Sequence, residues 1–165
     1  MLNLSEVERA YLAGLFDGEG CLGYYYKGAL RYHLASVAIY NCDIRIMLWL
    51  KERLPFGNFC NTNNEKFVLQ SWICNSRRQV ELFLKTIRPY LVIKADQVDL
   101  LLSLWDTEQK IRRSRRLSEE VLALRHNTML EMKRLKTANY KSVPLIQTLH
   151  TGTCPDIKVE ENERT

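Results

Sequence analysis

Two acidic residues with glycine neighbours are the strongest candidates for chemistry in this sequence. Asp17 and Glu19 stand on either side of Gly18, at the end of a segment typical of a helix. Small residues recur in that segment every four positions, at Ala10, Gly14 and Gly18, which places them on one side of a helix. Glycine costs about 1 kcal/mol relative to alanine inside a helix, so this ridge indicates that another backbone packs closely against it.

Two kinds of neighbour could pack against this small-residue ridge. One is a bulky neighbour inside the same chain, and the other is the same helix of a second copy. In a symmetric contact, the Asp17 and Glu19 carboxylates of both copies converge at one end of the ridge. Facing carboxylates repel each other unless a divalent cation lies between them. The second alternative therefore predicts a metal site at the end of the helix.

The segment Leu12–Gly20, LAGLFDGEG, resembles the signature of the LAGLIDADG homing endonucleases. Seven of the nine positions agree if Glu19 counts as a match for aspartate. The resemblance extends over residues 1–136, through the order of helices and strands and the stretch PYLVIK. The motif occurs once, and single-motif chains of this family are homodimers. The resemblance therefore implies a homodimer whose interface includes Ala10, Ala13, Gly14 and Asp17.

The activity that the resemblance implies is hydrolysis of phosphodiester bonds in both strands of a long, near-palindromic DNA target. It implies Mg²⁺ as the cofactor, with Mn²⁺ as a substitute, and a biological role in intron or intein mobility. Glu19 would bind the metal, with the backbone carbonyl of Gly18 as an additional ligand. The alternative is a maturase for group I intron RNA, or a cleavage-inactive DNA-binding protein of the same fold. The acid at position 19, together with Lys94 and Arg45, favours the enzyme.

Three further residues match catalytic positions of the family. Lys94 follows PYLVI and matches a lysine near the attacking water, where it can stabilise charge on the phosphate. Asn41 and Arg45 match a water-ordering polar residue and an arginine. The alternatives are a solvated lysine at a helix start for Lys94 and a helix cap for Asn41. For Asp17, a role in capping the helix and orienting a loop is favoured over metal binding.

Two predicted hairpins, residues 21–40 and 56–74, are expected to form one sheet with helices on one face only. Double-stranded DNA is the expected partner of the other, uncovered face. Side chains alternate along strands, so parity assigns the faces of the first hairpin, while the second hairpin is ambiguous. Polar side chains reaching base edges read sequence, and basic ones hold phosphates. The expected contacts are Gly23, Tyr25, Lys27, Arg31, Tyr32, Ser36 and Ala38 from the first hairpin, and Cys60, Thr62, Gln70 and Trp72 from the second.

A basic cluster separates the last two predicted helices. It consists of Lys110, Arg112, Arg113, Arg115 and Arg116. The chain as a whole has a formal net charge of +5, which favours a polyanionic partner. A phosphate clamp is favoured for this cluster over a nuclear localisation signal or a solvated junction between helices.

The apolar patterns predict a helix, a hairpin, a helix, a hairpin and three further helices. This is an α+β plan, an αββαββα core with an antiparallel sheet, helices on one face and extra C-terminal helices. The resemblance adds that the sheet is saddle-shaped. We expect one domain over residues 1–138 and a tail, docked or disordered, over 139–165. The expected spans are helices Ser5–Asp17, 43–54, 76–88, Ala95–Glu108 and Ser118–Lys136, and strands 21–27, 31–40, Phe56–Asn61 and Lys66–Cys74.

Composition restricts the class of protein. Hydrophobic residues make up 46% and charged residues 26%, as in soluble globular domains. The longest uncharged stretch, Ser142–Pro155, is 14 residues long and contains two prolines, so no membrane span is expected. The five cysteines are odd in number and form no CxxC pair, which predicts a reducing, intracellular compartment. An organelle and a prokaryotic cytoplasm are equally compatible with these features.

Overall fold

The computed structural model describes residues 2–28, 32–63, 68–111 and 118–141. These residues form a sheet of four strands and five α-helices, with a 3₁₀ helix, Arg88–Tyr90, before the fourth α-helix. The order is α1 Glu6–Glu19, β1 Gly20–Lys27, β2 Tyr32–Asn41, α2 Ile44–Arg53, β3 Asn58–Asn63, β4 Val68–Cys74, α3 Arg77–Ile87, α4 Ala95–Ile111 and α5 Glu119–Lys141.

Helix α1 begins at the predicted capping box and ends later than predicted. The Ser5 side chain accepts the Glu8 backbone N–H, and the Glu8 carboxylate accepts the Ser5 N–H at 2.9 Å. The helix continues through Gly18, and Glu19 is its last residue. Gly20 has extended backbone and starts β1, and its N–H bonds to the Phe16 carbonyl. A Cβ at position 20 would lie 2.2 Å from the Phe16 ring, so this close passage of strand over helix requires glycine.

The sheet is antiparallel throughout, with strand order β1-β2-β4-β3. Helices α1 and α3 pack on one face through an aromatic cluster in which Phe83 lies against Phe16 and Trp72, at ring-centroid distances of 5.3 and 5.0 Å. All three rings are fully buried. The α+β prediction is confirmed, and the core lies between the sheet and these helices.

The facing of the strands is as predicted in the first hairpin, and the structure gives the facing of the second, which the sequence left ambiguous. Leu22 and Val37 are buried on the helix-covered face, and Ile39 of β2 pairs with Trp72 of β4 on that face. Trp72 is 0% exposed, and its indole N–H donates to the Phe56 carbonyl at 2.8 Å. Trp72 as a DNA contact on the uncovered face is therefore wrong. Gln70 is wrong for the same reason, because it lies two residues earlier on the same helix-covered face, beside α2.

The turn before β3 depends on that same indole. Gly57 has φ of 83°, in the left-handed region that favours glycine. A Cβ there would also lie 2.3 Å from the indole nitrogen of Trp72. Position 57 therefore requires glycine both for the turn and for the approach of the tryptophan.

The capping of α3 and the end of α5 differ from their predictions. Ser76 makes no side-chain capping bond to α3, and the Gln79 side-chain oxygen instead accepts from the Cys74 thiol at 3.5 Å. Helix α5 runs on to Lys141, across the predicted domain boundary between residues 138 and 139. The rest of the predicted tail, residues 142–165, lies outside the described residues.

Neither a membrane span nor a disulfide is found in the described part of the chain. No helix there combines the length and hydropathy needed to cross a membrane. Cys21, Cys42 and Cys60 are exposed free thiols, and Cys74 is a buried one.

A buried carboxylate ties α4 to α3 and α5. Glu108 is 3% exposed and accepts from Arg77 at 2.6 Å and from Arg125 at 2.5 Å. The Arg77 guanidinium also lies over the Trp105 ring, 5.3 Å from its centroid. Burial alone raises the pKa of Glu108, but hydrogen bonds and charge from Arg125 and Arg77 outweigh it and hold the pKa below its ordinary value.

Replacing Glu108 with glutamine is expected to lower the free energy of unfolding at neutral pH by about 3 kcal/mol. The reason is that two arginines lose the carboxylate that compensates them. Because the pKa is lower in the folded state, this stabilisation is present above the ordinary value of 4.5 and is lost as the pH falls through the folded value. Urea unfolding at neutral and acidic pH measures both effects.

The matched control for this prediction is Glu131→Gln. Glu131 pairs with Arg134 on the exposed side of α5, where solvent screens the pair. We expect this variant to unfold as the wild type does at either pH. A Glu108→Gln protein as stable as the wild type at neutral pH would contradict the proposed role of the buried carboxylate.

Candidate active site

The C-terminal end of α1 concentrates negative charge. Glu19 is exposed at the last position of the helix, Asp17 precedes it by two residues, and the last turn contains no basic residue. The helix dipole already places partial negative charge at this end and favours cations there. Acids at this position therefore produce a site that a bound cation would stabilise.

Asp17 holds the loop that carries Lys94. Its carboxylate accepts the backbone N–H groups of Val92, Ile93 and Lys94 at 2.8, 3.1 and 3.0 Å. Both carboxylate oxygens are engaged in these bonds. This geometry agrees with the loop-orienting role that the sequence favoured for Asp17.

The side chain of Lys94 folds back over the end of α1. Its ammonium donates to the Asp17 backbone carbonyl and lies 5.8 Å from the centroid of the Phe16 ring. Burial lowers the pKa of Lys94, and the negative charges of Asp17 and Glu19 oppose this shift. The structure thus brings Lys94 to the same helix end as Glu19, although they are far apart in sequence.

A cavity of about 350 Å³ opens beside this helix end. Two of its polar side chains were missed in the sequence. Gln97 follows Lys94 by three residues on α4, a helical spacing that could have indicated a shared face, whereas nothing local pointed to Lys136 of α5. The lining residues are Asp17, Gly18, Gly20, Cys21, Leu22, Ile93, Lys94, Gln97 and Lys136.

Asn41 and Arg45 meet around Asp43 rather than in this cavity. The Asn41 side chain accepts the Asp43 N–H at 2.7 Å, and Asp43, not Asn41, caps α2. Arg45 is paired with Asp43, has a side chain 87% exposed and lines a separate groove with Tyr11 and Trp49. Since Gly20 pairs with Ile39, Asn41 lies at the same end of the sheet as Glu19. The catalytic roles predicted for Asn41 and Arg45 stay predictions.

The small-residue ridge of α1 is open. Ala10, Gly14 and Gly18 are exposed, and a Cβ built on Gly14 or Gly18 meets no described atom within 4 Å. Ala13, by contrast, is 0% exposed in the chain's own core, so its predicted place in a dimer interface is wrong. The described part of the chain therefore provides no internal partner for the ridge.

The uncovered face of the sheet presents tyrosines. Tyr25, Tyr32 and Tyr40 are 38%, 39% and 38% exposed there, and Tyr40 was missed in the sequence. Parity places the remaining predicted contacts of β1 and β2 on this face too: Gly23 and Ser36 half-buried, Lys27 exposed and Ala38 nearly covered. In β3, Cys60 is exposed.

The other predicted DNA contacts either lie outside the sheet or are not described by the structure. Lys110 is exposed near the end of α4. The side chain of Thr62 is not among those described. Five predicted contacts lie outside the described residues: Arg31, Arg112, Arg113, Arg115 and Arg116.

The oxygen atoms at the end of α1 are of the type that binds a hard divalent cation. A carboxylate from Glu19 and backbone carbonyls such as that of Gly18 are the oxygen ligands that Mg²⁺ prefers. The described residues contain no group of three or more His, Cys, Asp or Glu side chains able to hold a metal.

Comparison with solved structures defines the class of this fold. No protein-family model matches the sequence, and no curated protein matches it either. The fold, in contrast, is that of the homing endonucleases, so the resemblance to the LAGLIDADG family is confirmed at the level of fold.

Three solved structures illustrate the similarity. I-CvuI, in complex with its target in the presence of Ca, has a TM-score of 0.63 at 18% identity, covering 78% of this chain and 82% of that one. The archaeal intron-encoded I-Vdi141I, complexed with DNA, has a TM-score of 0.62 at 12% identity, covering 79% and 84%. The LAGLIDADG meganuclease I-AabMI, bound to uncleaved DNA, has a TM-score of 0.56 at 19% identity, covering 76% and 43%.

Proposed function

We propose that this protein is a site-specific DNA endonuclease that acts as a homodimer and depends on a divalent metal, with Mg²⁺ as the cofactor. One observation carries the proposal. Glu19 lies between Gly18 and Gly20, two residues that line the cavity holding Lys94. An exposed carboxylate and a partly buried ammonium at one helix end are the groups that metal-assisted phosphodiester hydrolysis uses.

Two further features support DNA as the substrate. The chain has a net charge of +5, and its uncovered sheet face combines Lys27 with exposed tyrosines. Basic groups hold phosphates, and tyrosine hydroxyls bond to phosphates or base edges. Structural neighbours of the same fold, I-CvuI and I-Vdi141I, are homing endonucleases in complex with DNA.

The residues of the cavity divide the chemistry between them. Asp17 fixes the loop before α4, and Lys94 thereby holds an ammonium beside the helix end. That ammonium orients the attacking water or stabilises negative charge that develops on the phosphate. Glu19, with the Gly18 carbonyl, would hold Mg²⁺, which supplies Lewis-acid polarisation of phosphate oxygens when bound.

The open ridge supports the homodimer. Two helices that lack intervening side chains can approach closely, and a two-fold axis along the ridge makes the interface isologous. The same axis brings the two Glu19 residues to one end of the contact. Each protomer then presents one site to one strand of the DNA, which gives cleavage of both strands.

A cleavage assay on selected DNA tests the function. Duplexes that bind the protein in EDTA are selected from a random-sequence library, cloned into a plasmid and incubated with Mg²⁺, Mn²⁺ or EDTA. We expect linear plasmid in Mg²⁺ and Mn²⁺ and intact plasmid in EDTA. Selected DNA that is bound but never cut, in either metal, would refute the nuclease and leave a binding protein. Failure to select any duplex would refute the DNA partner as well.

A further inference from the structure

Helix α5 carries a lysine into the cavity at the end of α1. The buried stripe of α5 runs through Val121, Met129 and Met132, and Lys136 lies one turn beyond Met132 on the same side. The Lys136 ammonium donates to the backbone carbonyl of Leu22 in β1. Packing of the stripe thus fixes a second ammonium in the cavity, from an element outside the LAGLFDGEG motif.

The two lysine ammonium groups of the cavity donate to backbone oxygens and not to any described carboxylate. Lys94 and Lys136 both line the cavity, and each donates to a backbone carbonyl. The Asp17 carboxylate is engaged with the amides of residues 92–94, and in the described part of the chain neither lysine forms an ion pair. Burial lowers the pKa of Lys94, Lys136 adds to this shift, and the charges of Asp17 and Glu19 oppose it. Two ammonium groups that line one half-buried cavity and take part in no described ion pair can both donate to an oxygen of a bound phosphate.

Resting on the nuclease function above, we propose that Lys136 is a second catalytic lysine, which contacts a non-bridging oxygen of the scissile phosphate. In the hydrolysis, the oxygen of a water molecule bonds to phosphorus and loses a proton. The P–O3′ bond breaks, and its electron pair leaves on the 3′ oxygen, which takes up a proton from solvent. Charge builds on the phosphoryl oxygens in the transition state, where a fixed ammonium in a partly desolvated cavity stabilises it.

A purely structural role for Lys136, tying α5 to β1, makes a different prediction. Lys136→Gln keeps an N–H donor for the Leu22 carbonyl but loses the charge, Lys136→Arg keeps the charge, and Lys136→Met loses both. If Lys136 only ties α5 to β1, both Lys136→Gln and Lys136→Arg should cleave DNA as the wild type does. If Lys136 stabilises charge on the phosphate, only Lys136→Arg should keep its cleavage activity.

The test measures single-turnover cleavage of the selected duplex in Mg²⁺ at saturating protein, with binding measured separately in EDTA. We expect Lys136→Gln and Lys136→Met to cut about a hundredfold more slowly than the wild type, and Lys136→Arg to stay within about tenfold of it. Binding in EDTA should change by no more than about tenfold, because at most one phosphate contact is lost. Thermal unfolding checks that all variants fold.

Lys133→Gln is the matched control, since Lys133 is exposed one turn earlier on α5 and the same charge is lost. It should cut at the wild-type rate. A Lys136→Gln protein that cuts as fast as the wild type, or a Lys133→Gln protein that is equally slow, would overturn the role of Lys136 while the nuclease function stands. A wild-type protein that binds the duplex and never cuts it would overturn both.

Discussion

A Glu19→Gln protein is expected to bind its DNA target and to leave it uncut. Glutamine keeps the size of the side chain, but an amide oxygen is a weaker ligand for Mg²⁺ than a carboxylate. Losing several kcal/mol of charge stabilisation corresponds to a rate at least about a thousandfold lower. Glu19 is exposed, so the fold does not depend on its charge. Binding in EDTA should be retained or tightened, because two negative charges facing the DNA are removed.

Asp17→Asn separates the metal ligand from the residue that holds the loop. An asparagine has one oxygen to accept the three amides that the Asp17 carboxylate now accepts. We expect lower stability and slower but measurable cleavage, because the Lys94 loop is less firmly placed. The assignment fails if Glu19→Gln cuts near the wild-type rate. It fails equally if a folded Asp17→Asn protein binds target and cuts nothing.

A Gly14→Leu protein is expected to gain stability as a monomer and to lose the dimer. A side chain at position 14 meets no described atom within 4 Å, and leucine is a better helix former than glycine by roughly 0.8 kcal/mol. Across a close helix contact the same side chain is overpacked, at about 1–3 kcal/mol per copy. The dimer dissociation constant should therefore rise at least about thirtyfold, with cleavage falling in parallel.

Analytical ultracentrifugation measures the weaker dimerisation, and thermal unfolding of the same samples measures the gain in stability. Ser103→Leu, which adds an exposed leucine on α4 away from the ridge, is the matched control and should leave assembly unchanged. A wild type that is monomeric both free and on DNA would contradict the ridge as an interface. A Gly14→Leu dimer as tight as the wild type would contradict it too.

The helix and strand that flank the motif could be predicted because they depend on local sequence. The capping box at Ser5, the helix that follows and the strand that starts at Gly20 all depend on residues close in sequence. The small-residue ridge was visible for the same reason. Lys94 was predicted from its resemblance to a family position, and the structure then placed it at the end of α1 through the Asp17 carboxylate.

What could not be predicted depends on tertiary packing. In β4, apolar residues occur at both parities, so alternation gave no facing. The indole of Trp72 lies inward because Phe83 and Phe56 surround it there. Ser76 and Gln79 have capping-box spacing, but Gln79 bonds to the Cys74 thiol instead. Lys136 reaches Leu22 from 114 residues away, and no local pattern carries that contact.

Mapping both cut ends of the selected duplex tests the central claim most directly, because one experiment reports the nuclease, the metal and the two-fold symmetry. Strand-specific sequencing of the products in Mg²⁺ should find one cut in each strand, at positions related by the dyad of a near-palindromic site. The ends should carry short 3′ extensions, and EDTA should abolish both cuts. A single nicked strand, cuts unrelated by the dyad, or cleavage that persists in EDTA would contradict a metal-dependent dimer with one Glu19 site for each strand.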